Sequence, residues 1–247
     1  MVMVRVIDRT QRRNMILSAS INAYINSATP VSSEWLAQDF NLSSATVRNI
    51  FAELEEDGYL THPYTSAGRI PTDKGYRYYV DFLMSQIELL DNEKKSIINE
   101  YKNKIERLED VLEKTSEIIS TITHYAGIVS LLEWEGKFFY RGLSYILEQP
   151  EFQDSEKIRM LIKMLEEKKR LLDIINRDFN ETTKVYIGSE IGCPEIDTCS
   201  LVVSTYRRGR KQNGRLAVLG PRRMNYDHII PALDFISQVL SETLGQL

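Results

Sequence analysis

The residues whose types and spacing carry chemistry are small and polar. In SSATVRNIFAELEEDG (residues 43–58) a helical period places Ser43, Ser44, Ala45, Thr46, Arg48, Asn49 and Ala52 opposite an apolar stripe of Val47, Ile50, Phe51 and Leu54. Short hydroxyls approach phosphates closely, a guanidinium forks onto guanine, and a carboxamide brackets adenine. A helix beginning at these residues adds the attraction of its own N-terminus for phosphate. Shortly after comes HPYTSAGRIPTDKGYRYYV (residues 62–80), with Thr65, Ser66 and Arg69 around a glycine-bearing turn. Alone, such a turn reads equally as a phosphate cradle, a catalytic loop, a hairpin tip or a connector. Directly behind the polar-faced helix it reads as a wing, in which Thr65 and Ser66 offer short donors, Gly68 allows the reversal and Arg69 brings charge to a nucleic-acid backbone or minor groove. Tyr76, Tyr78 and Tyr79, at helical spacing, read as anchors of that wing rather than as base-stacking platforms.

The elements that must position these residues follow from periodicity. Residues 10–27 carry Ile16, Leu17, Ile21, Tyr24 and Ile25 on one helical face, closed by Ala28-Thr29-Pro30. VSSEWLAQDFN offers Ser32 or Ser33 as N-cap and sets Trp35, Leu36 and Phe40 on one side. The next helix starts at a serine cap and stops at Gly58, a good C′ residue. Two short extended pieces then flank the turn, and Thr72 looks like the cap of a further helix burying Tyr76, Tyr79, Val80, Leu83, Met84 and Ile87. Helix, helix, helix, hairpin is the order of a winged helix-turn-helix, expected over residues 1–90. Residues 1–80 hold eight basic and eight acidic side chains, but Glu53–Asp57 gather at the far end of the polar-faced helix and leave its first turns free of acid. A plain three-helix packing unit explains the apolar stripes equally well; it does not explain the outward polar face.

From Ile98 the apolar residues Ile98, Tyr101, Ile105, Leu108, Leu112, Thr115, Ile119 and Ile122 alternate at three- and four-residue spacing. That is an a/d seam, expected as a long linker helix over 91–124. Ile98, Tyr101, Ile105, Leu108, Leu112 and Ile119 would then face a partner copy. The alternative is an amphipathic helix lying on its own domain. Residues 125–247 alternate between strand and helix signals. IVSLLEW and KFFYRGLSYI, together with 184–188, 200–206 and 215–219, read as strands, with a hairpin tip near Gly209–Gly214. Ser155–Asp178 and Asn225–Leu244 read as helices. The fold class expected is α+β with a largely antiparallel sheet.

Composition narrows the function classes. The chain has 247 residues, 43% of them hydrophobic and 27% charged, and a net charge of −4. That charge argues neither for nor against nucleic acid, since a weakly acidic protein can present one basic face. No apolar run approaches the roughly 18 residues that span a bilayer, and the first residues do not make a signal peptide. Two cysteines form no disulfide framework, so a reducing cytoplasm is the expected location. His62, His124 and His228 lie far apart and in no zinc spacing, and Cys193 and Cys199 have no second pair. GRIPTDKG lacks the P-loop frame, no G-x-S-x-G occurs, and EEKKRLLD reads as a solvated helix face. No metal, no cofactor and no enzymatic activity is expected.

The stretch LSSATVRNIFAELEEDGYLTHPYTSAGRIPTDKGYRYYVD (Leu42–Asp81) resembles the DNA-binding domain of the bacterial heat-inducible transcription repressor HrcA family. GLSYILEQPEF, YIGSE, CSLVVSTYRRG and GRLAVLGPRRMNYDHIIPALDFISQVLSETL are similar to that family's later segments, in the same order. The resemblance implies a winged helix followed by a GAF-like α+β domain. It also implies a repressor that binds, as a homodimer, an inverted-repeat operator in double-stranded DNA upstream of chaperone genes. Release on heat stress and modulation by the GroE chaperonin would follow from the same likeness. One departure stands out. The family's inserted dimerising segment precedes the GLSYILEQPEF match, and Tyr125–Arg141 is too short to hold it. A second reading from a different class is a winged-helix regulator whose GAF-like domain senses a small metabolite.

Overall fold

The computed structural model describes residues 8–64, 67–83, 87–101, 107–132, 138–178, 182–208 and 211–246. The chain divides into two compact units, Met1–Phe82 and Leu83–Leu247.

The first unit runs α1 (Arg9–Ser27), α2 (Ser33–Asp39), α3 (Ser44–Glu56), β1 (Leu60–Thr61), β2 (Ile70–Pro71) and α4 (Asp73–Leu83). Serines start the two central helices. Ser32 Oγ accepts the Trp35 N–H at 3.2 Å and Ser43 Oγ accepts the Thr46 N–H at 3.0 Å, each satisfying a donor that the first helical turn leaves open. Asn41, with φ +51°, makes the reversal between α2 and α3, and Gly58, with φ +76°, ends α3. β1 and β2 pair antiparallel through Leu60↔Pro71 and Thr61↔Ile70. Val31 adds another rung by exchanging backbone hydrogen bonds with Arg69, both 2.9 Å. Ile16, Leu17, Ile21, Leu36, Val47, Leu54, Leu60 and Val80 form the core beneath. Leu36 is buried as expected, but Trp35 does not share its side and is 52% exposed, because the residue beside a buried position on a helix points about 100° away. Tyr76, Tyr79 and Val80 are buried; Met84 lies outside the described residues.

The second unit contains α5 (Asp91–Glu100), α6 (Leu108–Thr123), β3 (Ala126–Leu131), β4 (Phe138–Arg141), α7 (Leu143–Leu147), α8 (Ser155–Glu166), α9 (Lys168–Ile175), β5 (Thr183–Ile187), β6 (Cys199–Arg208), β7 (Lys211–Pro221) and α10 (Tyr226–Leu244). The strands form one antiparallel sheet in the order β4-β3-β7-β6-β5. α6 packs on β3 and β4, and α10 packs on β6 and on α6. The alternate strand residues Ala126, Ile128, Leu201, Val203, Ala217 and Leu219 join α8, α9 and Phe152 in a second apolar layer. With the winged helix, this establishes the α+β class and its antiparallel sheet.

Three expectations are corrected. The long linker helix is interrupted: α5 ends at Glu100 with Tyr101 as its C-cap, and α6 starts after Arg107, whose backbone is extended (φ −107°, ψ 133°). The seam residues Leu112, Thr115 and Ile119 are fully buried inside this chain's own second unit, while Ile98 is exposed and Leu108 half-buried. Tyr101 donates its hydroxyl to Thr115 Oγ1 at 2.9 Å, and Ile105 lies outside the described residues. Gly127 explains the close seating of α6, since a Cβ there would lie 2.5 Å from the Ser116 carbonyl. The expected helix over Ser155–Asp178 is two helices, broken at Glu167 (φ −77°, ψ 60°). The strand expected through Ile146 stops at Arg141; Gly142, with φ +79°, turns the chain into α7.

Candidate nucleic-acid interface

The two ends of α3 are treated differently. Its first turn contains no acidic residue. Ser43, Ala45, Arg48, Asn49 and Ala52 are exposed there, with Ser44 and Thr46 half-buried between them. Ser43 and Thr46 share a hydroxyl–hydroxyl bond of 2.8 Å, so both oxygens are held at the helix start. Arg48 folds back over that turn with long contacts only, its Nε donating to Ser44 O and its Nη2 to Ser44 Oγ, each at 3.4 Å. Bonds that long are weak, and the guanidinium is ready to exchange them for a stronger acceptor.

The C-terminal end of α3 carries the acids, and three of them, Glu53, Glu55 and Asp57, are engaged. Glu53 pairs with Arg9 and Asp57 with Arg13, both on α1. Glu55 accepts from Arg69 Nη2 at 2.9 Å and also pairs with His62. Lys74 Nζ donates to the Asp57 carbonyl at 2.8 Å and lies 4.6 Å above the Tyr59 ring, which meets Tyr78 edge-on at 5.6 Å. Carboxylates that would repel phosphate are thereby neutralised, and they tie the helix to its scaffold.

The wing is anchored rather than free at its foot. Arg69, expected as a cation offered to the DNA backbone, instead gives one Nη to Glu55 and the other to the Ala67 carbonyl at 3.3 Å; its Nε is buried without a hydrogen-bond partner. Gly68 serves close approach and not a left-handed turn: a Cβ there would stand 2.5 Å from the Val31 carbonyl oxygen. Thr65 and Ser66, the expected tip donors, lie outside the described residues. Behind the wing, Thr72 caps α4 by accepting the Gly75 N–H at 3.1 Å, and its hydroxyl donates to the Gly58 carbonyl at 2.6 Å. Gly75 lets α4 press against β1, where a Cβ would sit 2.3 Å from the Tyr59 oxygen. Asn22 donates to the Tyr79 hydroxyl at 3.1 Å, which completes the tyrosine anchorage. Sequence reasoning missed Glu55 as the residue joining helix to wing, because its partners are set by the tertiary fold.

Other candidate chemistry is structural. Among the described residues no cluster of three or more His, Cys, Asp or Glu side chains suits a metal ion. Burial pushes the Cys199 thiol up to about 12 and also raises that of Cys193, so neither is a ready nucleophile. Arg170 grips Glu195 through two 2.8 Å bonds, which hold that carboxyl down to about 2. Arg215 is wholly buried, but its guanidinium is spent on the Ile175 and Asp178 carbonyls and on Thr205 Oγ1. An open groove of about 800 Å³ runs beside β5 and α10, past Leu89, Lys94, Thr183 and Phe235. Its polar lining is largely self-satisfied, since Asp234 accepts from Thr183 at 3.2 Å and from Gln238 at 3.3 Å. No described helix is long and apolar enough to cross a membrane.

Comparison with known proteins bears on both units. The family model described as "HrcA protein C terminal domain" matches residues 130–230. The "Heat-inducible transcription repressor HrcA" of Desulforamulus reducens is 29% identical to this chain, covering 96% of it and 97% of the relative. That of Bacillus pumilus is 28% identical, with 96% and 98% covered. These matches support the HrcA family, to whose repressors the chain is similar over nearly its whole length. The alignment with the D. reducens HrcA runs over 339 positions against 247 residues here, so that relative contributes residues with no counterpart in this chain. A solved structure described as a hypothetical protein shares this fold, with a TM-score of 0.79 at 22% identity over 95% of this chain and 98% of that one.

Proposed function

We propose that the chain is a sequence-specific DNA-binding transcription repressor, acting in the cytoplasm on heat-shock (chaperone) operons. The observation that carries this reading is the asymmetry of α3. Its N-terminal face presents Ser43, Ser44, Thr46, Arg48 and Asn49 with no acidic residue among them, while Glu53, Glu55 and Asp57 at its other end are paired with arginines of α1 and the wing. The helix enters the major groove by that end, Arg48 and Asn49 reach base edges, and the hydroxyls take phosphates. Thr65 and Ser66 touch the flanking backbone from the wing. Two copies bind an inverted repeat, because the twofold of such an operator is met by a twofold of the protein. The names of the relatives support heat release, and GroE chaperonin is the modulator expected from the family resemblance. The reading holds no enzymatic step.

The test is titration of the full chain with a duplex taken from upstream of the cell's chaperonin genes and with a scrambled duplex of equal length, at fixed salt. Preference for the first by a factor of about 10³ or more is expected. Equal binding of both overturns sequence-specific repression.

A further inference from the structure

The winged-helix unit spends most of its positive charge on itself. Arg9, Arg13, Arg69 and Arg77 are paired with Glu53, Asp57, Glu55 and Asp81, and Lys74 is committed to a carbonyl and a ring. Duplex affinity nevertheless comes largely from cations that displace counterions from phosphates. Arg48 apart, a further group of cations without a carboxylate partner among the described residues lies at the end of the β6–β7 hairpin in the second unit. Between Asp197 and Asp227 the sequence contains no acidic residue and seven basic ones. Arg215 and Arg223 are consumed internally, the latter by Glu151 and Gln149. Arg207 and Arg208 are different: both are exposed, and neither has a carboxylate partner among the described residues.

The register sharpens the point. Beyond the bulge at Tyr206/Arg207, Arg208 stands directly across from Lys211. The pairing thus brings a further residue of the same basic run to the strand position beside Arg208. The hairpin end is also fixed in place, because the Arg207 N–H donates to Ser241 Oγ of α10 at 2.9 Å. A cationic, positioned and internally unneutralised ladder end suits a polyanion.

We propose that Arg207 and Arg208 form a second DNA contact, a phosphate-binding surface on the C-terminal unit that supplies sequence-independent affinity in addition to that of the winged helix. The inference rests on the DNA-binding reading above and adds the source of its electrostatic attraction. Two arginine–phosphate contacts are lost together in the double variant Arg207→Gln/Arg208→Gln.

The experiment measures binding of full-length wild type, this double variant and Arg207→Lys/Arg208→Lys to the chaperonin-upstream duplex and to the scrambled duplex across a salt series. For the glutamine variant the slope of log affinity against log salt should flatten by about two, one per lost phosphate contact, and equally on both duplexes. The lysine variant should keep the wild-type slope. The thermal midpoint of the glutamine variant should stay level; a merely structural role would lower it. An unchanged slope in a wild type that binds DNA overturns the hairpin contact while leaving the winged-helix reading intact. Wild-type binding without sequence preference overturns the repressor reading but still scores the hairpin. Failure of the wild type to bind either duplex overturns both.

Discussion

Glu55 Oε2, near the C-terminal end of α3, lies 2.9 Å from Arg69 Nη2 at the foot of the wing. This pair couples α3 to the wing, and it changes what Arg69 does. A guanidinium committed to a carboxylate is a positioning group, so Arg69→Ala should weaken DNA binding without flattening its salt dependence. Both partners are about three-quarters covered, and the link is worth roughly 0.5–1 kcal/mol. Glu55→Ala should have a similar effect, and the double variant should cost little more than either single one. Additive losses in that double-mutant cycle, read by fluorescence anisotropy, would show that the pair does not act as a unit.

At the open end of α3, Arg48→Ala or Asn49→Ala should cost about 1–3 kcal/mol on the operator and relax specificity at one base pair. Neither side chain supports the core, so the thermal midpoint should not move. Competition binding against single-base operator variants checks the assignment.

Leu112 is fully buried in the second unit, so its substitution reports on stability and not on assembly. Leu112→Ala should lower the unfolding free energy by about 2–5 kcal/mol. The fraction that remains folded should keep its wild-type sedimentation coefficient. A stable but newly monomeric variant would restore α6 as an interface between copies.

The Arg170–Glu195 pair gives the second unit an acid-side dependence. Hydrogen bonds from Arg170, and then from the Cys193 thiol, lower the Glu195 carboxyl from 4.5 to about 2 in the folded protein. A depressed folded value means the stabilisation is present above the unfolded value and disappears as pH falls from 4.5 through 2. Glu195→Gln should therefore lower the thermal midpoint near neutrality and make its decline across that acid window shallower. Parallel wild-type and variant curves would assign the acid response elsewhere.

Both cysteines are buried and free. Burial raises both thiols, Cys199 to about 12, so neither is available as thiolate near neutral pH. Ellman's reagent at about pH 8 should label neither in the native protein and both in guanidinium. Rapid native labelling would mean that the layer containing Phe152, Met164 and Leu201 opens readily.

What the sequence determined by itself was local. The serine caps at Ser32 and Ser43, the stop at Gly58, the cap at Thr72 and the alternating runs of β5, β6 and β7 are short-range consequences of hydrogen bonding and periodicity, and all are legible in one dimension. The polar N-terminal face of α3 was legible for the same reason, since side-chain direction on a helix depends only on spacing. The tertiary structure decided the pairings. An a/d seam looks the same whether it faces a second copy or its own sheet; only the seating of Leu112 and Ile119 over β3, admitted by Gly127, separates the two. Arg69 reads as a free cation until folding brings Glu55 beside it from fourteen positions earlier in the sequence. Charge count is a property of composition, but which charges remain for a partner depends on which have already found one another. That is settled by chain crossings remote in sequence, which pair Arg69 with Glu55 and leave Arg48, Arg207 and Arg208 without a carboxylate partner among the described residues.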